Sequence, residues 1–144
     1  MELLPRVVEN RDFLFNNPYK HGSTMMRREA LLSVGGYRIA KETARNEDYD
    51  LFMRMQVLAR GENLPDPLYY FCEDKAARAR RKYRYRINEA RVRAKGFKAL
   101  GLMPRGFPYV IKPLIVGLIP SFILTRLQKR RRKKKNNTEG SDTD

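Results

Sequence analysis

The chain has 144 residues, 42% hydrophobic and 33% charged, with 31 Lys+Arg against 16 Asp+Glu and a net charge of +15. This length holds one domain at most, and this apolar content excludes a wholly disordered chain. A lone cysteine, Cys72, excludes an internal disulfide and fits a reducing compartment, and Met1 to Arg6 carries no secretory pattern.

Residues 1–17 predict a weak helix, closed by the Asn16-Asn17-Pro18 turn signal. His21 to Met26 is short, β-branched and apolar, and reads as a strand. Arg27 to Val34 carries Ala30, Leu31 and Val34 at helical spacing, and Gly35-Gly36 stops it as a left-handed glycine would. Arg38 to Arg45 is a polar loop. Asn46 is placed to cap the next helix, whose first turn holds Glu47, Asp48 and Asp50. Leu51, Phe52, Met55, Leu58 and Ala59 form its apolar stripe, and Gly61 ends it. Pro65-Asp66-Pro67 is a turn, and Leu68 to Cys72 reads as a second strand. Strand, helix, loop, helix, strand is an α/β order with a small sheet.

From Glu73 to about Gly101 the spacing predicts one long helix. Ala76, Ala79, Tyr83, Ile87, Ala90, Ala94 and Phe97 form its apolar face, and Arg78, Arg81, Lys82, Arg86 and Arg93 crowd the other. Phe107 to Leu124 is the most apolar stretch. Pro108, Pro113 and Pro120 interrupt it, so it is expected to lie in a membrane interface, as two short helices, rather than to span. Arg126 and the run Lys129, Arg130, Arg131, Arg132, Lys133, Lys134, Lys135 follow, then a polar tail from Asn136 to Asp144 that is expected to be disordered. The charge is lopsided. Residues 1–72 hold 10 Lys+Arg and 10 Asp+Glu, whereas residues 73–144 hold 21 and 6. A neutral front part with a basic extension points the extension at an anionic surface.

The cluster Asn46-Glu47-Asp48-Tyr49-Asp50 has two readings. Acids at a helix N-terminus complement the macrodipole. A carboxylate fixed there can also serve as a general base. Asp48-Tyr49-Asp50 and Asp142-Thr143-Asp144 both spell D-x-D, but neither follows a strand end, so neither is read as a metal site. Taken singly, His21, Arg27-Arg28 and Gly35-Gly36-Tyr37 name no function.

Their order is more specific. Asn17-Pro18, then His21-x-Ser-x-Met-x-Arg-Arg, Gly-Gly-Tyr, Asn-Glu-Asp-Tyr-Asp-Leu-x-x-Arg and Leu64-Pro65-x-Pro67-Leu68-x-Tyr70 keep one set of gaps. Over residues 16 to 72 this set resembles the C-terminal half of family 2 glycosyltransferases of bacterial surface-polysaccharide type. The basic helix and the run from Tyr109 to Pro120 resemble tails of that family. The resemblance implies a GT-A fold, a Rossmann-like α/β sandwich. It implies inverting transfer of a sugar from a nucleotide-sugar donor to an acceptor hydroxyl on a glycan or a lipid-linked glycan. Asp48 takes the place of the family's general base. Glu47 and Asp50 would shape the field or bind acceptor hydroxyls. His21 and Gly35, Gly36 and Tyr37 would line the acceptor side, and Arg54 would hold a carboxylate or leaving phosphate or form a structural ion pair. The family uses a divalent metal, Mg or Mn, held by a D-x-D that follows a strand, which this chain does not show. The nucleotide-binding half is likewise missing, so the chain alone is expected to lack transferase activity, with a separate chain as one source of the missing half.

The expected division is therefore 1–72 as the acceptor-side half, 73–106 as a basic helix and connector, 107–135 as a membrane-binding segment and 136–144 as the tail. The expected location is the cytoplasmic face of the cell membrane, with peripheral or monotopic attachment. Two other classes stay open: a non-catalytic basic membrane adaptor, and a nucleic-acid-binding protein. Against the last, the basic excess avoids the front half, so no specific nucleic acid is expected.

Overall fold

The computed structural model describes residues 4–66, 68–70 and 82–119. Its helices are α1 (Arg28–Ser33), α2 (Glu47–Leu58), α3 (Tyr83–Ala99) and α4 (Phe107–Leu118). Two 3₁₀ turns, Asn10–Leu14 and His21–Ser23, precede them. α2 packs on α3, α3 on α4, and the short α1 on α2.

One core joins the front of the chain to α3. Val8, Phe13, Tyr49, Phe52, Met53, Val92, Phe97 and Leu100 are buried together. Phe13 and Phe97 are fully enclosed, and burying one such side chain is worth about 1.5–3 kcal/mol. Tyr49 and Met53 lie four residues apart, on the face of α2 that meets α3. There the helices approach closely, because a Cβ on Gly96 would lie 2.2 Å from Met53 Sδ.

A buried cation crosses this interface. Arg93 is 4% exposed. Its Nη1 donates to the Leu14 carbonyl at 2.9 Å, and it pairs with Glu89 at 3.2 Å. The guanidinium lies over the Tyr49 ring, 5.2 Å from its centroid. Tyr49 in turn donates its hydroxyl to the Phe13 carbonyl. Asn88 Nδ2 holds the Lys41 carbonyl at 2.7 Å, so α3 also fixes the loop that leads into α2.

The helix ends follow local chemistry. α1 closes with Gly36 N–H on the Leu31 carbonyl and Gly35 N–H on the Leu32 carbonyl, both at 2.9 Å. α3 closes in the same way through Gly101 and Leu102. The glycine stops expected at Gly35-Gly36 and Gly101 are therefore present, whereas α2 ends at Leu58 on an extended Ala59, before the Gly61 expected to stop it.

Several expectations change. His21 to Met26 forms no strand. Ser23 N–H, Ser23 Oγ and Thr24 Oγ1 all bond the Lys20 carbonyl, at 3.0, 3.2 and 2.9 Å. These local bonds wind the segment into a 3₁₀ turn in place of a sheet ladder. Leu68 to Tyr70 is not a strand either, and Phe71 and Cys72 lie outside the described residues. Among the described residues the β pairing is a single bridge, Val7 with Glu62. The expected helix over 1–17 is reduced to the turn at Asn10–Leu14. Asn46 occupies the N-cap position of α2 but makes no side-chain cap bond; its Nδ2 reaches the Ala44 carbonyl at 3.5 Å instead. The apolar stripe of α2 is buried only in its first half, since Leu58 is 64% exposed and Ala59 is exposed as well.

α3 begins at Tyr83, and the earlier part of the long helix expected from Glu73 lies outside the described residues. α4 runs as one helix through Pro113, which is its buried residue, and Pro108 sits in its first turn. Pro120 to Leu124, the basic run and the tail also lie outside the described residues.

Two outcomes follow from this packing. Gly96→Val forces a branched side chain into the Met53 contact and should lower unfolding stability by about 1–3 kcal/mol in urea titrations. Burial, the largest influence, holds the Tyr49 and Tyr19 phenols above their ordinary value of 10.0. The folded state then keeps protons that the unfolded chain loses. This stability is complete below pH 10 and falls as pH rises beyond it. Thermal unfolding scans across that range should show the fall, and Tyr49→Phe should flatten it.

Candidate active site

Helical geometry sorts the acidic cluster. Positions 48 and 52 share one face of α2, positions 50 and 54 another, because residues four apart align. The two aspartates, two residues apart, therefore meet different surroundings.

Asp50 faces α1. It is 5% exposed. Arg54 Nε donates to its Oδ2 at 2.8 Å, and Arg38 Nη1 to its Oδ1 at 3.2 Å. Arg54 then reaches on to the carbonyls of Gly36, at 2.8 Å through Nη2, and Val34, through Nη1. The fork of one guanidinium thus joins a buried carboxylate to the end of α1. Asp50 was expected to shape the field or bind acceptor hydroxyls, and Arg54 to hold a carboxylate or leaving phosphate or to form a structural ion pair; here the two pair with each other and hold the Gly35-Gly36-Tyr37 turn against α2. Gly35 and Gly36 have φ of 73° and 65°. A Cβ on either would meet nothing within 4 Å, so the left-handed backbone, not space, requires glycine there.

Asp48 faces the N-terminal segment and is partly buried. Asn17 Nδ2 donates to its Oδ2 at 3.2 Å. Asn17 is itself fixed by accepting the Tyr19 N–H at 3.2 Å, the bond of an Asx turn. No described residue holds Asp48 Oδ1. Tyr37 lies within the field of this carboxylate. Its phenol is raised chiefly by burial and further by the Asp48 charge. Tyr37 Oη and His21 Nε2 share a hydrogen bond of 2.6 Å. The His21 ring stands edge-on to Phe52, with centroids 6.3 Å apart. Asn17, His21, Tyr37 and Asp48 thus form one polar surface with Phe52 beneath it.

Glu47 plays a local part. Its Oε1 accepts the Arg45 N–H at 2.9 Å, and Arg45 has a φ of 68°. The side chain thereby supports the left-handed residue that turns the loop into α2. Lys129 to Lys135 lie outside the described residues. Asn17 and Phe52 are site members that sequence reasoning did not assign. Asn17-Pro18 signalled a turn, but its bond to Asp48 spans 31 residues and has no local signal.

The arrangement offers a carboxylate anchored through one oxygen, with no described residue on the other, and a phenol–imidazole pair beside it. It suits a carboxylate that accepts a proton from a bound hydroxyl. Among the described residues no three His, Cys, Asp or Glu side chains gather as a metal site would require.

No protein-family model matches the chain, and no solved structure matches it. A curated protein of Bacillus subtilis (strain 168), named "Putative glycosyltransferase EpsE", is 35% identical over 130 residues. The match covers 90% of this chain and 47% of that protein, so the chain spans about half the length of the relative. The whole site lies within a chain that resembles, over nearly all its length, part of a protein named as a glycosyltransferase.

Arg54→Leu leaves Asp50 buried with one guanidinium and the α1 carbonyls without a donor. It should lower stability by about 3–5 kcal/mol, and Arg54→Lys should not restore it, since an ammonium cannot span three acceptors in a plane. Urea unfolding of the three proteins measures both effects.

Proposed function

We propose that this chain is the acceptor-side part of an inverting glycosyltransferase of family 2, GT-A type, and that Asp48 is its general base. One observation carries the reading. In a chain 35% identical to a protein named as a glycosyltransferase, Asp48 is the acid of the cluster that stands beside the Tyr37–His21 pair, with its Oδ2 fixed by Asn17 and no described residue on its Oδ1.

The chemistry is direct. A sugar hydroxyl is a poor nucleophile. Placed against Asp48 Oδ1, it gives up its proton as its oxygen attacks the anomeric carbon of the donor. The new C–O bond forms, the bond from that carbon to the phosphate oxygen breaks, and the nucleoside diphosphate leaves with the electron pair. Tyr37 and His21 position the acceptor through their hydroxyl and ring nitrogens, and Phe52 sets the height of the His21 ring. Asp50 and Arg54 act one step removed, by holding the turn that carries Tyr37. The donor is a nucleotide sugar, and the acceptor a glycan, free or lipid-linked. Mg or Mn would assist departure of the diphosphate in such a family. The described residues do not fit that role, because Asp50 is consumed by two guanidiniums, and no step is assigned to a metal.

Asp48→Asn keeps the Asn17 bond acceptable in shape but removes the base. In the intact glycan-producing system it should cut product by roughly 10²–10⁴-fold at unchanged protein level. Full glycan output from Asp48→Asn would assign the chain to a non-catalytic adaptor role and end the proposal.

A further inference from the structure

We infer that the outer face of α4 inserts into an anionic bilayer and seats the chain on it. The inference goes beyond the transferase reading and does not depend on it.

α4 has two faces of different fate. Val110, Pro113 and Gly117 recur at helical spacing toward α3. A Cβ on Gly117 would lie 2.9 Å from both Tyr83 and Arg86, so the contact there is close. The opposite stripe, Phe107, Ile111, Ile115 and Leu118, is apolar, and Phe107, Ile115 and Leu118 are 55%, 57% and 72% exposed. Soluble surfaces rarely leave such apolar side chains side by side.

The charge of the sequence and of the described surface selects the occupant. From Ala90 to Thr138 the sequence holds 14 Lys+Arg and no Asp or Glu. Lys98, Arg105 and Lys112 of this stretch are exposed on α3, the connector and α4. A second copy of the same face would bring like charges together. An anionic headgroup layer complements the cations and takes up the apolar side chains beneath them. Among the described residues no helix is long and apolar enough to cross a membrane, which fits a helix lying in the interface. An aromatic side chain such as Phe107 suits that depth.

The chain has no tryptophan, so a single one reports on its own position. Ile115→Trp and, as a control on exposed α2, Val57→Trp would be mixed with vesicles of phosphatidylglycerol and phosphatidylcholine in equal parts. The expected result is a blue shift and quenching by brominated lipid for Ile115→Trp, and neither for Val57→Trp. An Ile115→Ser/Leu118→Ser chain of unchanged circular dichroism should bind these vesicles roughly tenfold or more weakly at moderate salt. Three results overturn the inference. The chain pellets with vesicles while the Trp at 115 stays in water, which leaves attachment to the cations alone. The Trp at 115 is blue-shifted before lipid is added, which makes the face a contact between copies. Or the full chain does not bind the vesicles.

Discussion

The contact between Arg54 and Asp50 sets the geometry of everything near the acidic cluster. A carboxylate at 5% exposure is costly unless paired. The guanidinium that pairs it spends its remaining donors on Val34 and Gly36, two carbonyls at the end of α1. One planar group thereby fixes the angle between α2 and the Gly-Gly turn. Tyr37, the next residue, is delivered beside Asp48. Arg38, one residue further on, adds a second guanidinium to Asp50 and ties the same turn to α2.

α2 distributes its duties by angle around the helix. Tyr49 and Met53 bind it to α3, with Arg93 lying over Tyr49 and Gly96 admitting Met53. Asp50 and Arg54 bind it to α1. Asp48 and Phe52 are left for the surface shared with Asn17, His21 and Tyr37. The helix is rigid because two of its faces are buried in polar and apolar contacts, and a rigid helix keeps a carboxylate in place. The buried partners thus support the exposed one, and the site needs no strain to be ordered.

Local features were legible in the sequence, and non-local ones were not. The stops at Gly35-Gly36 and Gly101 are carried by glycine's freedom at positive φ, a property of one residue. α1, α2 and α3 were visible from spacing. The strand expected at His21 to Met26 failed because Ser23 and Thr24 satisfy the Lys20 carbonyl locally, which composition does not reveal. The roles of Asp48 and Asp50 could not be separated by reading. They lie two positions apart in one acidic run, and only the direction of packing tells which is enclosed. Asn17 and Arg38 became visible as partners once the chain was folded, because pairing across tens of residues leaves no pattern in a single sequence. The resemblance to glycosyltransferases pointed to Asp48, and the geometry supplied a physical reason for preferring it over Asp50.

The central claim is that Asp48 takes a proton from the acceptor and does nothing for the donor. The most direct measurement is single-turnover sugar transfer by the intact enzyme carrying Asp48→Asn, with nucleotide-sugar affinity measured on the same protein. The account predicts transfer slowed by roughly 10²–10⁴-fold with donor affinity unchanged. Transfer at the parent rate, or a loss explained by weaker donor binding, would contradict it.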